Sequence, residues 1–301
     1  MTEKLITEKK LFACGHTACA GCGQSLGARL VLEAAGPNTI VTNATGCLEV
    51  FSTRYPESSW GVPWLHSLFE NSAAIASGVE SALKHLGKID TIRVISQGGD
   101  GGTADIGLQA LSGMMERGHD ILYVCYDNEA YMNTGIQRSG LTPFDTNTTT
   151  SPAGKISSGN PLPKKNMVEI CAAHRIPYAA SSSVGFPLDV QSKVKKALSI
   201  RGPKYLHLHV PCPLGWRHPS NLTINIAKLA VETALFPMVE YEYGKLVSSR
   251  KLVTIKPVEE YLKPQGRFAH LFKDEKGKQE IAKIQQIANQ NIEYYNLKAT
   301  K

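Results

Sequence analysis

The chain has 301 residues, 42% of them hydrophobic, which is enough to bury a large core in one domain or two modest ones. No apolar stretch approaches the roughly 18 residues of a membrane span, and no apolar region follows the charged N-terminus, so neither a membrane protein nor a signal peptide is expected. Of the formal charge of +7, residues 245–301 carry +6 (12 basic minus 6 acidic side chains). Because the basic residues are spread out and form no nucleic-acid-binding motif, they favour a solvated face, or docking to an acidic partner, over nucleic-acid binding.

A group of cysteines is the first chemical feature in chain order. Seven cysteines, an odd number in a chain without a secretion signal, indicate free thiols and a cytoplasmic location. Cys14 and His16 precede a Cys19-x-x-Cys22 pair, whose spacing lets two thiolates reach one metal. A zinc site using these four residues is one alternative. A redox dithiol of thioredoxin type is another alternative. In thioredoxin-type proteins the Cys-x-x-Cys pair follows a strand, and no strand is predicted before Cys19.

Helices and strands are predicted to alternate before the central motif. The predicted bounds are 24–35 for a helix, 39–43 for a strand, 52–64 for an irregular aromatic loop and 65–86 for a long helix with small central residues. The strand delivers Thr45, Gly46 and Cys47 to its carboxyl end. A lone cysteine there is usually a buried small residue, but beside the Cys-x-x-Cys pair Cys47 becomes a possible third ligand.

Residues 92–135 form the central stretch. A β-branched run at 92–95 predicts a buried strand that stops at a glycine-rich segment around Asp100, followed by a helix at 104–115 and a second strand at 121–126. Strand, helix and strand of this length form a βαβ unit with parallel strands. Asp100 and Asn128, 28 positions apart, should therefore emerge at the sheet edge where open α/β sheets bind ligands.

The residues at these two strand ends indicate a magnesium–diphosphate site. Gly99, Gly101 and Gly102 would let backbone approach a bulky anion, and N–H groups at a helix start attract phosphate. One carboxylate and one amide oxygen suit Mg²⁺, which completes its shell with water and phosphates. The alternative is a glycine-rich turn with Asp100 as a helix cap.

Residues 139–165 lack periodicity and are expected to border the active site or contact another subunit. Later elements are predicted as helices at 167–174, 186–199, 222–236 and 275–294, strands at 177–180 and 205–210, and a strand pair or arm at 239–247. Lys193, Lys195 and Lys196 should lie on the solvent side of their helix. His207 and His209 are interpreted as satisfied, partly buried residues.

The predicted fold class is α/β, with an open, mostly parallel sheet and helices on both faces. Residues 1–244 are expected to form the domain, and residues 245–301 a basic C-terminal extension that is not an independent domain.

Gly99-Asp100-Gly101 with Asn128 resembles the motif of thiamine diphosphate enzymes. The continuation Tyr131-Met132-Asn133-Thr134-Gly135 is similar to the β subunits of 2-oxoacid:ferredoxin oxidoreductases of the pyruvate type, and the resemblance covers most of residues 12–265. It implies a thiamine diphosphate-binding fold, Mg²⁺ on Asp100, Asn128 and the carbonyl of Ala130, and Asn133 as the catalytic residue nearest the substrate. The cofactor-binding residues implied are Thr45, Gly46, Cys47, Gly99, Asp100, Gly101, Gly102, Asn128, Ala130, Asn133 and Thr134.

The same resemblance implies a [4Fe–4S] cluster. Its cysteines in Cys-x-x-Cys, Gly-Cys and Pro-Cys-Pro settings match Cys19, Cys22, Cys47 and Cys212. A Cys₄ zinc site has the same ligand type and stays an alternative. Cys14, Cys125 and Cys171 match no ligand.

The resemblance implies the reaction pyruvate + CoA + 2 oxidised ferredoxin ⇌ acetyl-CoA + CO₂ + 2 reduced ferredoxin. It also implies α-, γ- and δ-type partner subunits. No glutamate of this chain matches the motif that activates the aminopyrimidine, so a partner subunit would supply that glutamate. Glu49 and Glu70 are the glutamates of this chain to test. Neither nucleic acid nor membrane is an expected partner. The alternatives are a branched-chain 2-oxoacid, 2-oxoglutarate or oxalate as substrate, or a non-catalytic metal-binding assembly subunit.

Overall fold

One eight-stranded sheet forms the centre of the computed structural model, which describes residues 10–299. The strand order is β2-β1-β3-β4-β6-β5-β7-β8. The first six strands pair in parallel, and β7 and β8 extend the β5 edge antiparallel. The bounds are β1 Thr39–Asn43, β2 Trp64–His66, β3 Arg93–Gly99, β4 Ile121–Asp127, β5 Tyr178–Ser183, β6 Lys204–His209, β7 Val239–Glu242 and β8 Lys245–Ser249. The predicted open, mostly parallel sheet is confirmed.

Helices cover both faces of the sheet, as predicted. Successive side chains of β4 alternate between two apolar cores, Tyr123 on one face and Val124 on the other. The α-helix bounds are α1 Gly23–Ala35, α2 Cys47–Ser52, α3 Ser72–His85, α4 Asp100–Ala104, α5 Leu108–Glu116, α6 Met167–Ala173, α7 Pro187–Ser199, α8 Pro213–Trp216, α9 Thr223–Glu232, α10 Val258–Leu262 and α11 Glu275–Tyr294. Short 3₁₀ turns lie at Ser220–Leu222 and Gly266–Phe272.

The predicted long helix at 65–86 is wrong at its beginning. Its first residues belong to β2, which pairs in parallel with β1 at the sheet edge, and α3 begins only at Ser72. The short helix α2, which begins at Cys47, was not predicted. A three-residue edge strand and a six-residue helix are too short to give a clear hydrophobic period.

The helix predicted at 104–115 instead begins at Asp100 and is divided at Asp105. The Asp105 carboxylate accepts hydrogen bonds from the Tyr131 hydroxyl at 2.7 Å and from the Gly140 N–H at 2.9 Å. These contacts accompany a non-helical backbone at Asp105, and α5 begins at Leu108.

Lys193 does not lie on the solvent side of α7. It is 6% exposed, and its Nζ donates to the Ser181 carbonyl at 2.9 Å and pairs with Asp189 at 3.0 Å. The long aliphatic stem crosses the buried face of the helix while the ammonium reaches polar partners at its end.

Residues 139–165, all of which the structure describes, contain no helix or strand, as predicted. Side-chain hydrogen bonds hold this stretch; the Asn160 amide donates to the carbonyls of Thr142 and Leu162 at 2.8 and 2.9 Å.

The C-terminal segment shares the main core. Phe268, Leu271 and Ile284 are buried in the same apolar cluster as Met114 and Trp216. Among the described residues, no helix has both the length and the apolar character needed to cross a bilayer.

Candidate functional site

Three loops meet at the carboxyl edge of the parallel sheet. Asp100 directly follows β3 and Asn128 directly follows the neighbouring β4, with Gly99 paired opposite Tyr126. The Thr45-Gly46-Cys47 loop follows β1, whose last residue pairs opposite Gln97 of β3. The predicted convergence of these segments at one edge is therefore present.

The Asn128 side-chain amide faces two oxygens at this edge. One end of the amide lies 3.2 Å from Asp100 Oδ1 and 2.8 Å from the Ala130 carbonyl oxygen, and with its nitrogen at that end it donates hydrogen bonds to both. With its oxygen turned there instead, a cation between Asp100, Asn128 and Ala130 would be held by three oxygens, which we call the metal-facing oxygens. Adjacent ligands of an octahedral Mg²⁺ at 2.0–2.1 Å are about 3 Å apart, which matches this spacing. The three residues fit the predicted magnesium ion.

Asp100 is buried, and the Ser139 hydroxyl, the Gly101 N–H and the Lys164 charge only partly offset the effect of burial on its charge. Burial, and then the negative charge of Asp127, raise the pKa of Asp100 well above its usual value. Its Oδ2 accepts a hydrogen bond from the Ser139 hydroxyl at 2.5 Å. A carboxylate in this setting is ionised most readily beside a cation. Ser139 was not predicted as a site residue.

The glycines of the motif serve protein packing more than expected. A Cβ on Gly101 would overlap the Tyr131 ring, and one on Gly102 would lie 3.2 Å from Phe69. A Cβ on Gly99 would meet nothing within 4 Å. Open space therefore lies beside Gly99, while Gly101 and Gly102 let aromatic side chains approach the loop.

The four predicted cluster cysteines occupy neighbouring loops. The Gly23 N–H, next to Cys22, donates to the Pro211 carbonyl, next to Cys212, at 3.1 Å. Burial, and then the proximity of the Cys212 and Cys22 thiols, raise the pKa of Cys47 to about 12. Burial and the Cys22 and Cys19 thiols also contribute to a pKa of about 11 for Cys212.

This donor set fits a metal–sulfur centre. All four thiols are free, and Cys22, Cys47 and Cys212 are half-buried. Ionised thiolates so close together repel one another unless a cationic centre lies between them. Asp100 also raises the pKa of Cys47, so the thiol group adjoins the metal-facing oxygens.

The zinc alternative with His16 gains no support. The His16 ring packs between Phe12 and Phe51, with centroid distances of 5.3 and 5.6 Å. Among residues 10–299, no three His, Cys, Asp or Glu side chains gather around a single-ion position. Of the three cysteines that match no ligand, Cys125 and Cys171 are buried in the core and Cys14 is exposed.

Asn133, the predicted catalytic residue, and Thr134 and Thr45, both predicted to bind the cofactor, lie at the open rim of the edge. Asn133 and Thr134 are exposed, and the Thr134 hydroxyl donates to Gln137 Oε1 at 2.6 Å. Thr45 is exposed and lies 2.9 Å from His66 Nε2, a residue that was not predicted. Glu49 and Glu70 are partly exposed, and within the described part of the chain neither side chain hydrogen-bonds a predicted site residue.

A buried charge network lies behind the Asn128–Ala130 segment. Lys164 Nζ pairs with Glu129 at 2.7 Å and with Asp127 at 2.5 Å, and Arg267 pairs with Glu129 at 2.6 Å. Burial alone would raise the pKa of Glu129, but the charges of Lys164 and Arg267 outweigh it and hold the pKa below its usual value. No motif signals these long-range contacts in the sequence.

The two histidines of β6 differ in their environment. His207 is satisfied, as predicted, by the Tyr205 hydroxyl at 2.9 Å and the Asp127 carboxylate at 2.8 Å. His209 is fully buried, and neither ring nitrogen has a hydrogen-bond partner among the described residues, so that prediction was wrong for His209. Its ring lies between Trp216 and Phe236, and burial lowers its pKa to about 4.

One family model and several proteins of known name match this chain in sequence. The family model described as "Thiamine pyrophosphate enzyme, C-terminal TPP binding domain" matches residues 44–208. Pyruvate synthase subunit PorB of Methanosarcina barkeri is 60% identical over 289 residues, which cover 96% of this chain and 98% of that protein. Ketoisovalerate oxidoreductase subunit VorB of Pyrococcus abyssi is 51% identical over 276 residues, covering 89% and 88%.

A solved 2-oxoglutarate:ferredoxin oxidoreductase from Magnetococcus marinus, with 2-oxoglutarate, coenzyme A and succinyl-CoA bound, has the same fold. It superposes with a TM-score of 0.56 at 20% identity, covering 74% of this chain and 81% of that chain.

Proposed function

The chain belongs to the family of 2-oxoacid:ferredoxin oxidoreductase β subunits, together with its PorB and VorB relatives, and on this premise we propose that it carries the thiamine diphosphate and a [4Fe–4S] cluster of a pyruvate synthase. The reaction is pyruvate + CoA + 2 oxidised ferredoxin ⇌ acetyl-CoA + CO₂ + 2 reduced ferredoxin. One observation carries the proposal: Asp100, Asn128 and Ala130, which can turn three oxygens toward one ion, adjoin a group of four thiols.

Asp100, Asn128 and the carbonyl of Ala130 would hold Mg²⁺, with the diphosphate beside Gly99. Ser139 keeps the Asp100 carboxylate in place through its hydroxyl. Because a single carboxylate leaves one positive charge on Mg²⁺, the diphosphate would complete both the coordination and the charge. Gly101 and Gly102 keep the loop close to Tyr131 and Phe69.

Cys19, Cys22, Cys47 and Cys212 would ligate the cluster. Thiamine diphosphate, when bound, supplies an electron sink for decarboxylation, and a neighbouring cluster accepts single electrons. Cys47 begins α2, directly after the loop that follows β1, and lies near enough to Asp100 for the two charges to interact, so the two cofactors would adjoin. Asn133, which is exposed at the rim, would hydrogen-bond the 2-oxoacid.

The rim of the site offers a surface for other subunits. Leu68, Ile106 and Leu214 are 63%, 54% and 68% exposed, in segments that follow β2, β3 and β6 at the carboxyl edge. A partner subunit of α type would cover them and supply the glutamate for the aminopyrimidine. Residues 139–165 and α3 are further contact surfaces. The γ- and δ-type subunits and ferredoxin would complete the electron path, and coenzyme A would accept the acyl group.

We further propose that residues 245–301 extend the domain formed by residues 1–244. The buried Phe268, Leu271 and Ile284 support this, because they share its core. Seven free cysteines suit a reducing, cytoplasmic setting.

A purified complex tests the proposed reaction. The complex is isolated without oxygen, and ferredoxin reduction is followed with coenzyme A and either pyruvate, a branched-chain 2-oxoacid or 2-oxoglutarate. Fastest reduction with pyruvate is expected; preference for the branched acid would move the assignment toward the VorB relatives. Cys22→Ser should abolish reduction, while Cys14→Ser, a change at an exposed cysteine, should not. Stoichiometric zinc without iron would favour a non-catalytic assembly subunit.

A further inference from the structure

Trp216 joins the two loops assigned to the proposed cofactors. Its backbone N–H donates to the Cys212 carbonyl at 2.9 Å, and its indole Nε1–H donates to the Asn128 carbonyl at 2.7 Å. The side chain is fully buried. Trp216 therefore links the two loops: its backbone bonds the Pro-Cys-Pro loop, and its buried indole ring bonds the loop that presents the metal-facing oxygens.

The peptide unit between Asn128 and Glu129 is held at both ends. Its carbonyl accepts from Trp216, and its N–H donates to Asp127 Oδ1 at 2.9 Å. Glu129 has φ +68°, a left-handed conformation that is uncommon outside glycine, so surrounding contacts must maintain it. The Thr142 hydroxyl donates to the Glu129 carbonyl at 2.8 Å and fixes the next peptide, which leads to Ala130.

Arg267 connects this arrangement to the C-terminal segment. Its guanidinium carbon lies 3.7 Å from the centroid of the Trp216 ring, and its Nη2 donates to Glu129 Oε2 at 2.6 Å. Its Nε donates to Gln265 at 2.8 Å, and the residue is 1% exposed. The neighbouring Gly266 N–H donates to the carbonyl of Arg217, directly after Trp216, at 3.1 Å.

We propose that Trp216 and Arg267 are positioning residues. Arg267 holds the indole in place from the C-terminal segment. Trp216 holds the Asn128 carbonyl, so that the three metal-facing oxygens stay aligned and at a fixed separation from Cys212. This inference rests on the proposed function. Simple space-filling would require neither the indole N–H nor the guanidinium charge, and this difference makes the proposal testable.

Trp216→Phe removes the indole N–H and keeps an aromatic ring. Trp60→Phe is the matched control, since the Trp60 indole N–H also makes one hydrogen bond, to Ser52 at 2.8 Å. In the assembled complex, thiamine diphosphate binding is measured by equilibrium dialysis at fixed Mg²⁺. Trp216→Phe should weaken binding about three- to tenfold, the effect of one hydrogen bond. Trp60→Phe should match wild type, and iron content should be equal in all three.

Arg267→Met removes the charge at similar length, and Arg267→Lys restores a charge without the planar fork. Arg201→Met, a change at a half-exposed arginine paired with Asp90 and Asp120, is the control for loss of an ion pair. Arg267→Met should weaken thiamine diphosphate binding at least tenfold, by about the energy of a charged hydrogen bond, and Arg267→Lys should recover part of the loss. Arg201→Met should bind like wild type.

The inference is overturned if Trp216→Phe and Arg267→Met bind thiamine diphosphate as tightly as wild type. It is also overturned if binding falls only in proportion to lost iron or folded protein, with no recovery in Arg267→Lys. In either case a wild-type complex that binds the cofactor and reduces ferredoxin leaves the proposed function intact. Failure of the wild-type complex to bind thiamine diphosphate would overturn both.

Discussion

At the residue scale, the charge of Asp100 decides the metal site. It supplies the only carboxylate among the three metal-facing groups, Asp100, Asn128 and Ala130, and it is buried. Asp100→Ala should weaken thiamine diphosphate binding by about 3–5 kcal/mol, the scale of a broken buried charge pair. Asn128→Ala should cost less, because water can replace a neutral ligand. Equilibrium dialysis with Mg²⁺ measures both, and Asp90→Ala, at a side chain that is 82% exposed, serves as control. Equal affinity in wild type and Asp100→Ala would contradict the assignment.

His209 links stability to pH. Burial lowers its pKa from 6.5 to about 4, while Lys164 and Arg267 oppose and Glu129 and Asp127 favour its charged form. Because the folded pKa is depressed, stability from this residue is present above pH 6.5 and is lost as pH falls from 6.5 to 4. At 1.36 kcal/mol per pKa unit the loss is about 2 kcal/mol by pH 5.

The variant His209→Phe isolates this effect, since an aromatic ring fits between Trp216 and Phe236. Urea unfolding of both proteins at pH 7 and pH 5 gives the free energies. The variant should lose about 2 kcal/mol less than wild type over this interval. An identical pH dependence in the two proteins would mean that His209 does not titrate differently on unfolding.

At the element scale, the start of α1 must approach the Pro-Cys-Pro loop closely. A Cβ on Gly23 would lie 2.8 and 2.9 Å from the Pro211 carbonyl oxygen and nitrogen, which are backbone atoms that cannot rotate away. Gly23→Ala should therefore separate the loops that carry Cys22 and Cys212, at a cost of about 1–3 kcal/mol from overpacking, and reduce the bound iron. Gly15→Ala, where an added Cβ meets nothing within 4 Å, should retain wild-type iron. Colorimetric iron analysis after anaerobic purification compares them; equal iron in both would refute the packing argument.

Elements with a strong period or clear punctuation were predictable from the sequence. The strand at Thr39–Asn43 and the helix at Glu275–Tyr294 have the predicted bounds. The edge strand at Trp64–His66 has only three residues, too few for its side chains to show a period. The helix that begins at Asp100 has glycine at its second and third positions. Helix propensity disfavours these glycines, but their small size lets Tyr131 and Phe69 pack closely against the helix.

The site was predictable where it depends on strand ends, and not where it depends on distant packing. Asp100 and Asn128 follow adjacent parallel strands, a relation that the βαβ spacing already implies. Ser139 bonds Asp100 across 39 positions, Trp216 bonds Asn128 across 88, and Arg267 bonds Glu129 across 138. No local pattern encodes such contacts, because they exist only once the core has formed.

At the scale of the whole molecule, the chain is expected to be half of an active site. Asn133, Thr134 and Thr45 are exposed, and within residues 10–299 no glutamate hydrogen-bonds the predicted cofactor residues from the substrate side. The isolated chain, reconstituted with iron and sulfide and given Mg²⁺, thiamine diphosphate, pyruvate and coenzyme A, should show no reduction of an electron acceptor, because water would reach the open site.

Addition of the partner subunits should restore turnover in the same assay. Turnover of the isolated chain at the rate of the whole complex would show that it carries its own activating glutamate. Glu49 and Glu70 would then be the first residues to replace.

Cofactor stoichiometry of the wild-type complex, purified without oxygen, tests the central claim most directly. Iron, acid-labile sulfide, zinc and thiamine diphosphate are quantified per copy of this chain, with Cys212→Ser and Asp100→Ala complexes alongside. One thiamine diphosphate should be found, and iron and sulfide should each fall by about four in Cys212→Ser, the content of one [4Fe–4S] cluster. Asp100→Ala should lose the thiamine diphosphate and keep the iron. Stoichiometric zinc, or iron and thiamine diphosphate contents unchanged by these substitutions, would contradict the account.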